Sequence, residues 1–225
     1  MRSPWTLLVD FDGTLTEVDA DIHIAKRMLD RKRYEDLTTL FHAYEAVEIG
    51  IADYFGAYID MIDVHSTTFR SCLPEVPIRR DIVSLISAAA RRVDVIIASE
   101  GLDVYIRPIL SLLDLADTSL VCNRVQIHGG APTIVPDPAA APCDRCLSCK
   151  GTLVRRLKAR TPSAKVALIG NGASDLCAAE QADMVFARDS LKRGCDRRGI
   201  AYTEWTTASD ILGSPFWKAL DEEGD

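Results

Sequence analysis

Short apolar runs that stop at acidic or small residues alternate along the chain with stretches of helical periodicity. Trp5 to Val9 is a compact apolar run ending at Asp10, which predicts a buried strand. From about Asp19 to Asp63 no strand-like run occurs, and Leu29, Leu37, Leu40, Phe41 and Tyr44 recur at helical spacing. Pro77 predicts the opening of a helix that continues to about Ala90, because proline lacks an N–H that the first turn would leave unused. Val93 to Ala98 predicts a second buried strand and Asp103 to Leu113 a helix. Ser119 to Ile127 and Ala131 to Val135 flank His128-Gly129-Gly130, a hairpin signal. Lys150 to about Arg160 predicts a helix, and Val166 to Ile169 and Met184 to Ala187 two further strands.

This alternation predicts an α/β fold with a mostly parallel sheet covered on both faces. Ligands bind such sheets beyond the carboxyl ends of the strands. Composition narrows the field. A chain of 225 residues holds one large domain or a core with a modest insert. The formal net charge of -7 argues against a nucleic-acid surface but leaves room for a small anionic substrate. No apolar run approaches the roughly 20 residues that span a bilayer, so no membrane partner is expected. Met1 to Trp5 enters the first strand without a basic or long apolar leader, and the expectation is a soluble, cytoplasmic protein. Seven cysteines, an odd number, do not suggest a disulfide scaffold.

The strand ends carry the candidate chemistry. After the first strand comes Asp10-Phe11-Asp12-Gly13-Thr14-Leu15-Thr16. Two carboxylates so close at a strand end are costly if both stay charged, and a divalent cation with oxygen ligands, such as magnesium, would offset that cost. Gly13 permits a tight turn that can aim backbone N–H groups at a phosphate. An acidic helix cap or a calcium loop can share this pattern. The second strand runs into Ser99-Glu100-Gly101, and the next into Gly170-Asn171-Gly172-Ala173-Ser174-Asp175.

These three segments, with Lys150 of Cys149-Lys150-Gly151 at the start of a predicted helix as the third in order, resemble the four motifs of the haloacid-dehalogenase-like phosphatases. The branch in view contains phosphoserine phosphatases and the 2-hydroxy-3-keto-5-methylthiopentenyl-1-phosphate phosphatases. The resemblance implies that Asp10 is a nucleophile and that Asp12 is an acid/base whose backbone carbonyl also ligates magnesium. It implies that Ser99 and Lys150 hold the phosphate, with Gly13, Thr14, Glu100, Gly101 and Asp19 around the substrate. Asp10, Asp12, Asn171 and Asp175 would hold Mg2+. It further implies a Rossmann-like, doubly wound core of residues 1–15 and 86–225, with a helical cap of residues 16–85 inserted after the first strand. The implied activity is hydrolysis of a small phosphorylated metabolite through an aspartyl phosphate. A phosphotransferase using that intermediate, or a non-catalytic phosphate-binding regulator, are the alternatives. Asn171 stands where the family usually has an Asp, which implies weaker magnesium binding.

Two features lie outside the template. Phe55 to Ile62, where phosphoserine phosphatases carry an arginine for the substrate carboxylate, offers only Tyr58 and Asp60 as polar side chains. Phosphoserine is therefore expected to be a poor substrate, unless Arg27, Arg31, Arg33 or Arg70 takes that part. The second is Cys143-Asp-Arg-Cys146-Leu-Ser-Cys149. Its spacing can place thiolates around a structural zinc, with Cys122 or His128 as the fourth donor, although reduced packed thiols satisfy the same pattern. His23, His42 and His65 are expected at the surface or partly packed, and the acidic C-terminus from Asp221 as a frayed tail.

Overall fold

The computed structural model describes residues 3–129 and 131–222. Its centre is β1 (Trp5–Val9), whose residues alternate between two apolar layers as a strand's two-residue period requires. Leu7 and Val9 enter one cluster with Ile97 and Ile169, while Leu8 enters the other with Ala98 and Leu168. A strand apolar on both faces needs neighbours and cover on every side. β1 pairs in parallel with β2 (Asp94–Leu102) and β5 (Lys165–Gly170). β3 (Ser119–His128), β4 (Ala131–Val135), β6 (Met184–Ala187) and β7 (Thr203–Glu204) complete seven strands in the order β4-β3-β2-β1-β5-β6-β7. Within this sheet only the expected hairpin, β3 with β4, is antiparallel. The predicted α/β class and doubly wound order are thus present.

Between β1 and β2 the chain forms α1 (Ala20–Met28), α2 (Arg31–Glu45), α3 (Ile51–Met61) and α4 (Thr67–Cys72). Their apolar faces carry Ile24, Leu37, Tyr54, Phe55, Tyr58 and Phe69 into the cluster that also contains Phe11 and Tyr105. Asp30 and Ser66 cap α2 and α4 by accepting from the N–H groups of Arg33 and Phe69.

The helix expected from Pro77 starts later, as α5 (Arg80–Ala89). Ile78 is extended and bridges Thr16, and Arg79 N–H donates to the Leu15 carbonyl at 3.0 Å, which holds residues 77–79 out of the helix. α5 runs unbroken through residue 85, the expected domain border, and packs on β2. The second strand is longer than expected, because β2 continues through Ser99, Glu100 and Gly101 with a register irregularity between Ala98 and Leu102.

Beyond β2 the chain adds α6 (Asp103–Leu112), α7 (Lys150–Lys158), α8 (Leu176–Ala179), α9 (Asp189–Arg198), α10 (Ala208–Leu212) and α11 (Pro215–Glu222). Apolar periodicity along the sequence did not reveal β7 or the helices from α8 onward. α7 and α8 approach so closely at Gly151 that a Cβ there would lie 2.5 Å from the Cys177 carbonyl.

Candidate active site

The carboxyl ends of β1, β2 and β5 converge on one cavity of about 540 Å³, closed on its far side by residues of α2 and α3. Asp10 continues β1 by one residue, its N–H donating to the Ile169 carbonyl at 2.9 Å. Its side chain is buried, and Lys150 Nζ donates to Asp10 Oδ1 and to Asp175 Oδ1, each at 2.5 Å. Asp12 accepts from Ala20 N–H at 2.9 Å and from Ser99 Oγ at 3.2 Å. Gly101 N–H in turn donates to Ser99 Oγ at 2.8 Å, fixing that hydroxyl from behind. Asp10, Asp12, Asp19, Ser99, Glu100, Gly101 and Asn171 all line the cavity.

Gly13, Thr14, Lys150 and Asp175 stand behind that wall. Gly13 has φ +72°, and a Cβ on it would lie 2.3 Å from Asn171 Nδ2, so the turn admits no side chain. Its N–H was expected at the phosphate; instead it donates to Thr16 Oγ1 at 3.0 Å. Thr14 Oγ1 likewise donates to Asn171 Oδ1 at 2.9 Å. Both residues shape the loop that carries Asp12 and hold Asn171 against it. Asp175 Oδ2 accepts from the N–H groups of Asn171 and Gly172 at 3.1 and 2.9 Å, so both of its oxygens are engaged by the protein.

The site buries more carboxyl groups than cations. Burial and the neighbouring Asp175 push the Asp10 carboxyl up to about 7, against the pull of Lys150. Burial, then Asp21 and Asp19, hold Asp12 well above the usual carboxylate range. Burial would depress the Lys150 ammonium, but Asp10 and Asp175 outweigh it and keep Lys150 charged above the ordinary lysine range. The arrangement is a carboxyl group steered by an ammonium, with a second carboxyl of raised pKa beside it at the same cavity floor.

Residues 5–195 match the family model described as "Putative Phosphatase". The chain is a haloacid-dehalogenase-like phosphatase. As such it is a phosphoric monoester hydrolase. It is 30% identical over 218 residues to a 2-hydroxy-3-keto-5-methylthiopentenyl-1-phosphate phosphatase of Exiguobacterium sibiricum, covering 92% of this chain and 94% of the relative. Identity is also 30% with the Brevibacillus brevis protein of that name, covering 94% and 95%. A substrate-bound phosphoserine phosphatase has the same fold, with a TM-score of 0.70 at 17% identity over 94% of this chain and 98% of that one.

The phosphatase has the donors that a hard divalent cation takes. Asp10 supplies a carboxylate and Asn171 an amide oxygen at the cavity wall, and the excess of buried carboxylates over the Lys150 charge favours a cation there. Asp175 fits a supporting position, because its oxygens already hold Lys150 and the Asn171–Gly172 backbone.

Several lining residues were missed by the sequence reading: Asp21, Tyr44, Glu45, Tyr54, Tyr105, Arg145 and Arg193. His42, expected at the surface or partly packed, is exposed and stands on the cavity rim. The arginines proposed for a substrate carboxylate are elsewhere: Arg27 pairs with Glu75, Arg31 with Glu35, and Arg33 donates to the Met61 carbonyl. Arg70 does not line the cavity either; its guanidinium groups come from Arg145 and Arg193. The Tyr105 hydroxyl and Glu100 Oε1, on residues that line the cavity, are buried without a hydrogen-bond partner.

Asp21 is buried at the cavity wall and accepts from the Tyr54 hydroxyl at 2.6 Å and from Ile22 N–H at 2.8 Å. Burial, then Asp19, pushes its carboxyl from 3.8 up to about 7. Between those values the folded state holds a proton that the unfolded state has lost, so stability from this group falls as pH rises from about 4 to about 7. Asp21→Asn keeps an acceptor for Tyr54 and removes the titration. It is expected to stabilise the protein by roughly 1–3 kcal/mol at pH 8 and to change little at pH 5. Urea unfolding at the two pH values measures this, and an equal effect at both would show that Asp21 ionises without cost.

The cysteines depart from expectation at one point. Cys143, Cys146 and Cys149 do converge, but their fourth neighbour is Cys177 at the start of α8. Cys122 is buried in the apolar core, where burial pushes its thiol up to about 12. The His128 side chain lies outside the described residues, as do residues 223–225 of the expected acidic tail.

Proposed function

We propose that this phosphatase hydrolyses a small phosphorylated metabolite with magnesium, through a phosphoryl group carried on Asp10. The observation that carries the reading is the buried Asp10 carboxylate, held by Lys150 Nζ at 2.5 Å and flanked at the cavity floor by Asp12 and Ser99. Asp10 attacks phosphorus as the bond to the leaving oxygen breaks, splitting one difficult displacement into two easier ones. Asp12, whose raised pKa favours the protonated form, gives its proton to the leaving oxygen. The resulting carboxylate then takes a proton from the water that attacks the aspartyl phosphate, which returns Asp10 and Asp12 to their starting states. Ser99 Oγ and the Lys150 ammonium balance charge on the transferring group. Asp10, the Asp12 backbone carbonyl and Asn171 would hold the metal, with Asp175 behind them, and magnesium would supply charge neutralisation to the phosphoryl oxygens.

Residues 16–79 form the cap in this reading, since α5 is continuous with the core it packs on. α2 and α3 bring Phe41, Tyr44, Tyr54 and Phe55 over the cavity, with Tyr44 and Tyr54 stacked at 5.8 Å. An aromatic wall suits a leaving group with an apolar part, such as the substrate named for the relatives at 30% identity. Phosphoserine, with a small charged leaving group and no arginine from the cap, suits it poorly.

The test is phosphate release from 2-hydroxy-3-keto-5-methylthiopentenyl-1-phosphate, phosphoserine and an aryl phosphate, with and without magnesium and with acceptor alcohols. Magnesium-dependent release, with phosphoserine much the weaker of the two metabolites, is expected. Phosphate appearing mainly on added alcohols would make the protein a phosphotransferase, and no release from any ester would overturn catalysis.

A further inference from the structure

We propose that Cys143, Cys146, Cys149 and Cys177 bind one structural zinc ion. The four Sγ atoms lie within 4.8 Å of one another. A tetrahedral zinc with Zn–S near 2.3 Å places its sulfurs about 3.8 Å apart, so a small contraction of the cluster completes the site. Two disulfides would join the sulfurs in pairs; the grouping of all four in one sphere matches a single central ion. Four thiolates around one centre select zinc or iron over hard cations.

The fold builds the cluster from two separate segments. Cys143 N–H donates to the Cys146 carbonyl at 2.9 Å, folding the first three cysteines into a compact turn before α7. Cys177 comes from α8, brought in by the side-chain-free contact at Gly151. Cys146 and Cys149 are buried and Cys143 and Cys177 half-buried. Zinc with four thiolates carries a net charge of about -2. Arg145 answers part of it by donating to Cys177 Sγ at 3.4 Å. Binding involves no redox change: each thiol loses its proton as its sulfur bonds the ion.

The site ties the loop before α7 to α8 beside the cavity. Arg145 lines the cavity, Leu147 N–H donates to Glu100 Oε2 at 3.1 Å, and Lys150 follows Cys149 directly. The ion would clamp this loop to α8 and so fix the approach of Arg145 and Lys150.

Elemental analysis of the full chain, purified without chelator and refolded with zinc, tests this without reference to phosphatase activity. About one zinc per chain is expected, falling below about one-fifth in Cys177→Ser and staying at one in Cys122→Ser. Thermal stability should drop by at least about 5 °C when a strong chelator removes the ion. Should Cys177→Ser fail to fold, cobalt(II) added to the metal-free wild type keeps the question open to decision. Intense thiolate-to-cobalt absorption with tetrahedral bands supports four sulfur ligands, and its absence overturns them. Zinc below one-fifth of an equivalent with all four thiols reactive, iron in its place, or full zinc in Cys177→Ser would each overturn the proposal.

Discussion

Asp10→Asn is expected to lower turnover by about 10⁴-fold or more while the protein stays folded. The carboxamide keeps an oxygen that can accept from Lys150, so the 2.5 Å contact has a substitute and the strand end need not move. What the variant loses is the anion that bonds phosphorus, and no other carboxylate among the described residues has the same setting. Asp12 sits in the same cavity, but burial pushes its carboxyl toward the protonated form and Ala20 N–H and Ser99 engage it. Steady-state phosphate release beside circular dichroism reads both halves of the expectation. Mass spectrometry must show that the introduced amide has not deamidated back to a carboxylate. Residual turnover within about a hundredfold of wild type would take the nucleophile's role from Asp10, and hydroxylamine-sensitive labelling of the wild type would then identify its true carrier.

The parts of this site legible in the sequence are those on strand ends. A buried strand fixes direction, and the residue after its last apolar position emerges at the carboxyl edge, so apolar runs drew attention to Asp10, while the resemblance to the phosphatase motifs singled out Ser99 and Asn171. Position did not reveal partnership. Gly13 and Thr14 stood beside Asp10 in sequence, yet the Gly13 N–H is spent within its own loop on Thr16, and the Thr14 hydroxyl on Asn171 from the loop after β5. Arg145 sits inside a cysteine pattern that drew the reading toward metal, and only the folded loop turns it to the cavity. Cys177 was hidden for a different reason. α8 spans four residues, too few for periodicity, and its approach to α7 depends on the missing side chain of Gly151. The extended residues after Pro77 carry the same lesson: a pairing with Thr16 overrode the local preference to start a helix.

Lys150→Met is expected to damage stability and turnover together, in a way that depends on pH. The ammonium is 1% exposed and bonded at 2.5 Å to both Asp10 and Asp175. Methionine fills similar space without charge, so the loss is electrostatic rather than a cavity. Removing the cation from a buried ionic cluster leaves its anions uncompensated, a cost of roughly 3–5 kcal/mol. Lys150 stays charged well above neutrality in the wild type, whereas the variant can shed negative charge only by taking up a proton. Asp10 already tends that way at about 7 with the ammonium present. The folded variant therefore holds extra protons relative to its unfolded state, and its stability deficit widens as pH rises from about 5 to about 8. Urea unfolding at both pH values should show the larger deficit at pH 8, with added magnesium recovering part of it. Turnover should remain depressed by about 10²–10³-fold even at saturating magnesium, because the ammonium that holds and steers the Asp10 carboxylate is gone. A deficit equal at both pH values would mean that Lys150 serves the fold by packing, and wild-type turnover in a folded variant would remove it from the phosphate site.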